Sequence, residues 1–320
     1  MPGGNLRGAG LALLAFALFS TQDVIVKTLG AGYSPVQILF FSGLLGFPLT
    51  TVILLRDASG GTLIPRHPWW TGLRSAAVMA TGLSAFYAFS VLPLAQVYAV
   101  VFATPVLITV MAIPVLGERV RLRRWLAVLA GLIGVVIVLR PGQTAPGAGH
   151  LAALTAAMGG ALAAVIVRRI GEEERSIVLL LYPMVGNFVV LGLGLFVVYR
   201  PMPPADFAAM AAIAVLALSA TGAIIAAYKA GEAAVVAPMQ YSQIIWATIY
   251  GAIFFGERPD GATLTGAAII IASGLYILVR EGRAGVSRNR PVSATRSRPE
   301  TGVVPRVSVL LRWMSRKVGV

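Results

Sequence analysis

The sequence predicts an all-α integral membrane protein with ten transmembrane helices, arranged as two inverted five-helix repeats. Three observations lead to this class. Of the 320 residues, 58% are hydrophobic and 12% are charged, and the mean hydropathy is +0.84. Apolar stretches of about 20 residues, the length that crosses a bilayer, recur along the chain. The two halves of the sequence also resemble each other, and each half contains an odd number of these stretches.

Ten apolar stretches precede a change in composition near residue 281, and we number them as spans 1 to 10. They cover residues 8–28, 35–55, 69–91, 94–116, 122–140, 150–169, 176–199, 206–228, 233–255 and 262–280. Span 1 follows Arg7 and is longer than the apolar region of a typical secretory signal peptide, so we interpret it as a membrane span.

Three pairs of similar segments, each about 140 residues apart, identify the internal repeat. They are "VIVKTLG" (24–30) with "VIVRRIG" (165–171), "IPVLGER" (113–119) with "AIFFGER" (252–258), and "GVVIVLR" (134–140) with "GLYILVR" (274–280). Because each copy contains five spans, the second copy enters the membrane from the opposite side. Inverted repeats are typical of secondary transporters, which bind substrates near the midplane. We predict a first repeat over 1–146, a second over 147–281, and a mostly disordered basic tail over 282–320.

Positive charge is distributed unequally between the two sides of the membrane. With ten spans and a cytoplasmic N-terminus, the cytoplasmic side before the tail contains twelve of the 26 Lys and Arg residues, the external loops four, and the segment from Arg280 through Lys317 ten. This asymmetry predicts that both termini are cytoplasmic, in a bacterial-type inner membrane. The basic residues that give the net charge of +14 then lie mainly in the cytoplasmic loops and the tail, where anionic lipid headgroups attract them. We therefore expect membrane lipids as partners and no nucleic acid.

Two long segments resemble a known family. They are "PLAQVYAVVFATPVLITVMAIPVLGERVRLRRWLAVLAGLIGVVIVLRP" and "AAVVAPMQYSQIIWATIYGAIFFGERPDGATLTGAAIIIASGLYILVRE". Both are similar to the paired EamA domains of the drug/metabolite transporter superfamily, and the resemblance covers roughly residues 6 to 281. It implies a ten-helix basket, cytoplasmic termini, a central cavity lined mainly by spans 1, 3, 4, 6, 8 and 9, and substrates such as amino acids and other small metabolites. The copies differ in one respect. Pro105 lies mid-span in the first, whereas the second has Ile244 there and an earlier Pro238, so we expect different bends.

Asp23, in the stretch "FSTQDVIVK", is the acid that lies deepest within a span. If the helix starts near Leu6, Asp23 lies about 25 Å from its cytoplasmic start, given a rise of about 1.5 Å per residue. Two interpretations stay open. Asp23 pairs with Lys27 at i+4 in a purely structural contact while Lys27 reaches the headgroups, or Asp23 faces the cavity and binds a proton or a substrate ammonium. In the second case, Gln22 or Ser20 supports it.

Span 9 presents a polar and aromatic stripe, with Met239, Gln243, Trp246 and Tyr250 on one helical face. Such a stripe either packs against a neighbouring helix or lines the cavity. The repeat matches Gln243 with Thr104, which is also polar. The substrate-binding candidates are Asp23, Gln22, Tyr87, Tyr98, Thr104, Gln243, Trp246 and Tyr250. We interpret Glu118 and Glu257, which lie in the two GER turns, as structural.

The sequence lacks the motifs of metal centres, ATPases and membrane hydrolases. The chain has no cysteine and two histidines, both at span edges, so a metal centre is not expected. No Walker, GxSxG or HExxH motif occurs. We therefore predict no catalytic residue, no metal and no cofactor, and a protein that is not an enzyme.

The predicted function is a secondary transporter that moves small amphipathic metabolites, such as amino acids or related compounds, by alternating access, with export as the expected direction. The alternatives are an uptake carrier for a cofactor-like metabolite, a lipid-intermediate flippase, and a scaffold that presents the tail. Proton coupling stays open. So does a homodimer, for which the small residues Ala127, Ala130, Gly131 and Gly134 of span 5 offer a close-packing face.

Overall fold

The computed structural model describes residues 2–55, 63–117, 122–139, 147–171, 173–231 and 233–281. Within these ranges all regular secondary structure is helical. The helices are α1 (Pro2–Gly30), α2 (Pro35–Leu55), α3 (Pro68–Val91), α4 (Leu94–Val101), α5 (Thr104–Leu116), α6 (Leu122–Leu139), α7 (Ala148–Ile170), α8 (Ser176–Val198), α9 (Pro204–Ala230), α10 (Ala233–Val236), a 3₁₀ helix (Ala237–Ser242), α11 (Gln243–Phe255) and α12 (Gly261–Glu281). The predicted basic tail and Glu118 lie outside the described residues.

These helices form ten spans, as predicted. Span 4 consists of α4 and α5, span 9 of α10, the 3₁₀ helix and α11, and the other eight are single helices. Five segments in the described chain are long and apolar enough to cross a membrane, namely Asn5–Gly30, Leu94–Leu116, Ala148–Ile170, Val178–Val198 and Pro204–Ala230. Three further apolar helices are shorter, Pro35–Pro48, Trp125–Leu139 and Gly261–Ile277. The predicted all-α membrane class is confirmed.

Several span ends meet at one end of the bundle, which we call the Lys27 end. If successive spans cross the membrane in alternating directions, all of these span ends lie on the same side of it. Lys27 Nζ lies 2.8 Å from Glu257 Oε1. The Gln37 side chain and the Arg200 backbone exchange two hydrogen bonds, of 2.8 and 2.9 Å. The side chains of Gln96 and His150 also meet there, with their Nε2 atoms 3.0 Å apart.

At the opposite end of the bundle, which we call the His67 end, the contacting span ends are likewise predicted to lie on one side of the membrane. His67 Nε2 lies 2.7 Å from Glu173 Oε2, and Arg169 donates to the carbonyl of Val115. Gly8 of α1 approaches Gly231 just beyond α9, so closely that a Cβ on Gly8 would lie 2.8 Å from the Gly231 Cα. Contacts at both ends therefore agree with two five-span copies that enter the membrane from opposite sides.

The glycine of each GER turn ends a helix. Gly117 follows α5 and Gly256 follows α11, and their φ angles of 68° and 65° lie in the left-handed region. Glycine adopts this conformation without the steric penalty that a Cβ imposes, and it is the usual residue at such a C-terminus. The repeated GER motif thus marks two equivalent helix ends.

The small residues of span 5 pack within the chain. Ser273 Oγ of α12 donates to the Ala127 carbonyl of α6 at 2.5 Å. A Cβ on Gly131 would lie 2.6 Å from Val106, and one on Gly134 would lie 2.8 Å from Ile270. Close packing of α6 on α5 and α12 therefore accounts for Ala127, Gly131 and Gly134. The homodimer stays a prediction.

Spans 4 and 9 are both interrupted, but in different ways. In span 4 the helix breaks at Phe102 and Ala103, just before Pro105, which has no N–H to continue the ladder. Thr104 Oγ1 donates to the Val101 carbonyl at 2.6 Å, so this carbonyl at the break has a partner. In span 9, Pro238 lies in the first turn of the 3₁₀ helix. The expected difference in bending between the two copies is present.

Candidate functional site

Helix α1 carries three polar side chains into the interior. Ser20, Gln22 and Asp23 are each at most 1% exposed. Ser20 and Asp23 are three residues apart and lie on the same helical face. Of the acids in the described residues, Asp23 and Glu174 are buried, and Glu174 lies at the His67 end, where it accepts the backbone N–H of His67. Asp23 is therefore the buried acid within the membrane-spanning part of the described chain.

The hydroxyl of Tyr98 connects α1 to both interrupted spans. It donates a hydrogen bond to Asp23 Oδ2. The Gln243 side-chain amide donates to the same hydroxyl at 3.2 Å, and Ser20 Oγ lies 3.5 Å from it. A phenol has one proton to donate and lone pairs to accept with, so one hydroxyl can make these contacts together. We call Ser20, Asp23, Tyr98 and Gln243 the Tyr98 cluster.

The Tyr98 cluster draws on both repeats. Asp23 and Tyr98 belong to the first copy, whereas Gln243 belongs to the second. Tyr98 lies on α4 and Gln243 is the first residue of α11, so both are next to helix interruptions. In transporters with inverted repeats, the substrate site is typically formed by discontinuous helices at the interface of the repeats. The cluster occupies such a position.

Aromatic rings surround the Tyr98 cluster. The ring of Tyr98 lies 5.3 Å from Phe89 and 5.9 Å from Phe102, and Phe102 lies 5.1 Å from Tyr241, measured between ring centroids. Tyr98 itself is completely buried. Hydrogen bonds and charge interactions are stronger in such an apolar surrounding than in water. A charged group that enters the cluster would therefore interact strongly with Asp23.

Trp246 and Tyr250 extend the polar and aromatic surface along α11. Their ring centroids are 6.0 Å apart, and the Tyr250 hydroxyl lies 3.3 Å from Thr21 Oγ1 of α1. Trp246 Nε1 and Gln22 Oε1 are shielded from solvent and have no hydrogen-bond partner within the described residues. Buried polar atoms normally have one. A ligand could supply a partner to each of them.

The remaining predicted site residues are placed less favourably. Thr104 is buried, but its hydroxyl is engaged with the Val101 carbonyl. Tyr87 of α3 is 37% exposed, and within the described residues no hydrogen bond or ring contact joins its side chain to the Tyr98 cluster. Met239, part of the predicted stripe, packs instead beside Ala12 and Val236. The structure therefore brings together Asp23, Tyr98 and Gln243 of the predicted residues, and places Trp246 next to Tyr250 on α11.

Of the two open interpretations of Asp23, the one that pairs it with Lys27 does not match the ion pair that Lys27 forms. The Lys27 ammonium forms its ion pair with Glu257 and donates to the Leu92 carbonyl, while Asp23 accepts from Tyr98. Lys27 lies one turn beyond Asp23 near the end of α1, so its long side chain reaches the Lys27 end. Sequence reasoning missed this partner, although its topology placed Lys27 and Glu257 on the same side of the membrane.

Metal binding finds no support in the described residues. They include no group of three or more His, Cys, Asp or Glu side chains that could hold a metal ion.

The comparisons with known proteins agree with this architecture. The model of the EamA-like transporter family matches residues 6–140 and 147–279. A solved crystal structure is similar with a TM-score of 0.55 at 19% identity, over 83% of this chain and 95% of that chain, which shows the fold alone. The boundaries predicted at 146/147 and 281/282 stay predictions.

Three relatives of known name are similar over most of their length. A Rickettsia felis S-adenosylmethionine uptake transporter is 27% identical over 87% of this chain and 95% of its own. A Rhizobium johnstonii riboflavin transporter is 28% identical, with coverages of 88% and 94%. A Pseudomonas aeruginosa pseudopaline exporter, CntI, is 24% identical, with coverages of 83% and 94%. Since the family model covers both halves, the chain belongs to the EamA-like transporter family, and it is a transporter of small metabolites rather than an enzyme.

Proposed function

We propose that this protein is a secondary carrier that moves a small amphipathic metabolite with a cationic amine, such as an amino acid or a related compound, by alternating access. The single observation that carries the proposal is the Tyr98 cluster. Its Asp23 carboxyl is completely buried, and its side chains come from both repeats. An ammonium group would satisfy a buried carboxylate by charge and by hydrogen bonding. In the absence of substrate, the Tyr98 hydroxyl fulfils part of that role.

The charges of the neighbouring groups favour a cationic partner. The Lys27 ammonium is compensated by Glu257, so the nearest basic group on α1 is already paired. A buried charge in a membrane is costly unless a partner or water compensates it. Either a proton or a substrate ammonium can compensate Asp23, and competition between the two would couple transport to a proton gradient.

We propose export from a bacterial-type inner membrane, with both termini in the cytoplasm and the Lys27 end outside. The excess of Arg and Lys in the loops on the other side supports this orientation. Uptake of a cofactor-like metabolite is the second candidate, because relatives are named for the uptake of S-adenosylmethionine and for riboflavin. Another relative is named an exporter, so both directions occur among similar proteins.

Reconstitution tests the proposal directly. The purified protein is placed in liposomes and assayed with a panel of amino acids, related amines, riboflavin and S-adenosylmethionine, with and without a proton gradient. Uncharged analogues without the amine serve as matched substrates, and Asp23→Asn as the matched protein. We expect movement of an amine-containing metabolite that Asp23→Asn abolishes while the protein stays folded. Full transport by Asp23→Asn, or equal transport of the uncharged analogue, would contradict the assignment of Asp23.

A further inference from the structure

We propose that Glu257 is a positioning residue that keeps the Lys27 end of the substrate site closed, by joining α1 and α4 one turn away from the Asp23–Tyr98 hydrogen bond. The inference rests on the proposed role of the Tyr98 cluster as the substrate site.

The two carboxylate oxygens of Glu257 bind two different helices. Oε1 lies 2.8 Å from Lys27 Nζ of α1, and Oε2 accepts the backbone N–H of Leu94 at 3.0 Å. Leu94 is the first residue of α4, where backbone N–H groups lack partners within the helix. A carboxylate at this position also interacts favourably with the helix dipole. We call Lys27, Glu257 and the Leu94 N–H the Glu257 bridge.

The surroundings hold the Glu257 bridge in a sheltered position. The side chains of Lys27 and Glu257 are 11% and 18% exposed. Lys27 Nζ lies 5.3 Å from the centre of the Phe255 ring, and it also donates to the Leu92 carbonyl. The Glu257 N–H donates to the Gly251 carbonyl at 2.9 Å, which fixes the turn that carries Glu257. Screening by salt is weaker for a partly buried pair than for an exposed one.

The register of α1 and α4 links this bridge to the substrate site. Asp23 precedes Lys27 by four residues on α1, and Tyr98 follows Leu94 by four residues on α4. Four residues are about one helical turn, or about 6 Å. The Glu257 bridge and the Asp23–Tyr98 bond are therefore two successive connections between the same two helices.

This arrangement couples binding to opening. An ammonium that binds Asp23 competes with the Tyr98 hydroxyl, and when Tyr98 moves away, one of the two connections between α1 and α4 is lost. Glu257 belongs to the second repeat, whereas both helices belong to the first, so separation at this end also moves the repeats relative to each other. A ligand shifts such an equilibrium only by the difference in its affinity for the two states. The free energy needed to break the Glu257 bridge is the part of opening that this difference in affinity has to supply.

Thiol labelling tests the inference, because the chain contains no cysteine. Ser20→Cys places a single thiol in the Tyr98 cluster, at a position that is 1% exposed. A membrane-impermeant maleimide is applied to either face of membrane vesicles of known orientation. The labelling rate is compared among Ser20→Cys alone and its combinations with Glu257→Gln, Lys27→Met and Glu257→Asp. Arg258→Gln is the matched control, since it alters a charged neighbour that is exposed.

We expect Glu257→Gln and Lys27→Met each to raise the labelling rate at the Lys27 face by at least about fivefold, the lower end of usual coupling between two sites. The rate at the opposite face should not rise, Arg258→Gln should behave like Ser20→Cys alone, and Glu257→Asp should restore most of the slow labelling. Unchanged rates in both charge variants would overturn the inference. Equal increases at both faces would also overturn it, because they indicate general loosening.

A second variant displaces the carboxylate without removing a charge. A Cβ on Gly251 would lie 3.0 Å from Glu257 Oε2, so Gly251→Ala should also accelerate labelling at the Lys27 face. The labelling needs no substrate, which separates the two proposals. If labelling responds but no metabolite moves in liposomes, the proposed function fails and the closing contact remains. If metabolites move but labelling does not respond, only the role of Glu257 fails.

Discussion

In the proposed substrate site, the hydrogen bond from Tyr98 gives the buried Asp23 carboxyl a partner that a substrate ammonium can replace. A phenol is a neutral donor, whereas a substrate ammonium brings a full charge and a stronger bond to a carboxylate. The bond thus stabilises the empty site without competing strongly with the ligand. Gln243 and Ser20 also contact the Tyr98 hydroxyl, at 3.2 and 3.5 Å.

The first prediction separates stability from transport at this bond. Tyr98→Phe removes the hydroxyl and keeps the ring, so the free energy of unfolding should fall by about 1–3 kcal/mol, the usual contribution of such a bond. Asp23→Asn combined with Tyr98→Phe should cost less than the sum of the two single changes, because the hydrogen bond between the two side chains can be lost only once. Denaturant titration in detergent measures both effects.

Transport should behave differently in the same variants. If Asp23 binds the substrate, the double variant Asp23→Asn/Tyr98→Phe should remain inactive even though it loses less stability than the two single changes together. Wild-type transport by the double variant would remove Asp23 from the site.

The second prediction concerns Gln243 and Trp246 on α11. Gln243→Ala and Trp246→Ala should weaken substrate binding and cost less stability than a core truncation, because a residue that contacts the ligand contributes less to packing. Gln243→Ala also loses its hydrogen bond to Tyr98, so its stability should fall slightly more than that of Trp246→Ala. Ile245→Ala is the control, since Ile245 lies between them in sequence and is 60% exposed. Binding is measured by calorimetry once the liposome panel has identified a substrate. Losses of about 2 kcal/mol or more of stability in both variants, as for core truncations, would assign these residues to packing.

Sequence reasoning found the polar residues of the site but not their connections. Asp23 was evident because an acid inside an apolar span is costly, and Gln243 because an amide there needs partners. Tyr98 gave no comparable signal, since a tyrosine in a span is equally suited to packing, and its central role depends on helix geometry. The i, i+4 spacing offered Asp23 as one possible partner of Lys27. Its true partner, Glu257, lies 230 positions away, where only the topology of the repeats brings it near.

Helices α6 and α12 show how an element depends on glycine. A Cβ on Gly266 would lie 2.7 Å from the Gly134 carbonyl and 2.5 Å from Val138, and backbone at this distance cannot move aside easily. In the membrane, close approach of helices through small residues replaces much of the packing that the hydrophobic effect supplies in water. These glycines therefore determine how closely the two helices pack.

The third prediction follows from that contact. Gly266→Ala should destabilise the protein by about 1–3 kcal/mol, as overpacking does. Gly10→Ala is the control on α1, because no atom lies within 4 Å of the position its Cβ would take. We expect the control to remain as stable as wild type or to gain slightly, since alanine favours helices more than glycine. Thermal unfolding in detergent distinguishes them, and equal midpoints for both variants would refute the close packing of α6 on α12.

The bounds of the spans followed well from hydropathy, because every backbone group in lipid must be paired and long helices achieve this. The interruptions of spans 4 and 9 were harder to predict from the sequence. Pro105 and Pro238 indicated that spans 4 and 9 bend differently. However, the change to a 3₁₀ helix over Ala237–Ser242, which packs against α1, could not be predicted from the position of Pro238 alone.

The whole molecule is organised by the opposite insertion of its two repeats. The contacts at the Lys27 end and at the His67 end join segments from both copies, so each end is closed by an equivalent but chemically different set of residues. In the proposed alternating-access cycle, this architecture would let one copy take the shape of the other when the protein opens to the opposite side. The distribution of charge predicts the absolute orientation in the membrane, which packing alone does not give.

The fourth prediction tests that orientation. Reporter tags inserted after Arg7, near Arg121 and after Arg280 should report the cytoplasm, and a tag near Asp260 should report the outside. A tag near Arg200, which precedes α9, serves as the external control. If the tags near Arg121 and Asp260 report the same side, the two repeats are not inverted.

The 3₁₀ helix at Ala237–Ser242 has a mechanical consequence. Its six residues rise about 2.0 Å each, against about 1.5 Å in an α-helix, so winding them into α-helix would shorten span 9 by about 3 Å. Each residue would also turn through about 100° instead of about 120°, so the two ends would rotate by about a third of a turn relative to each other. A change in this segment, directly before Gln243, would therefore both shift and rotate the start of α11. A change between the two helical forms can thus move the Gln243 amide away from the Tyr98 hydroxyl, while the rest of α11 keeps its position in the membrane.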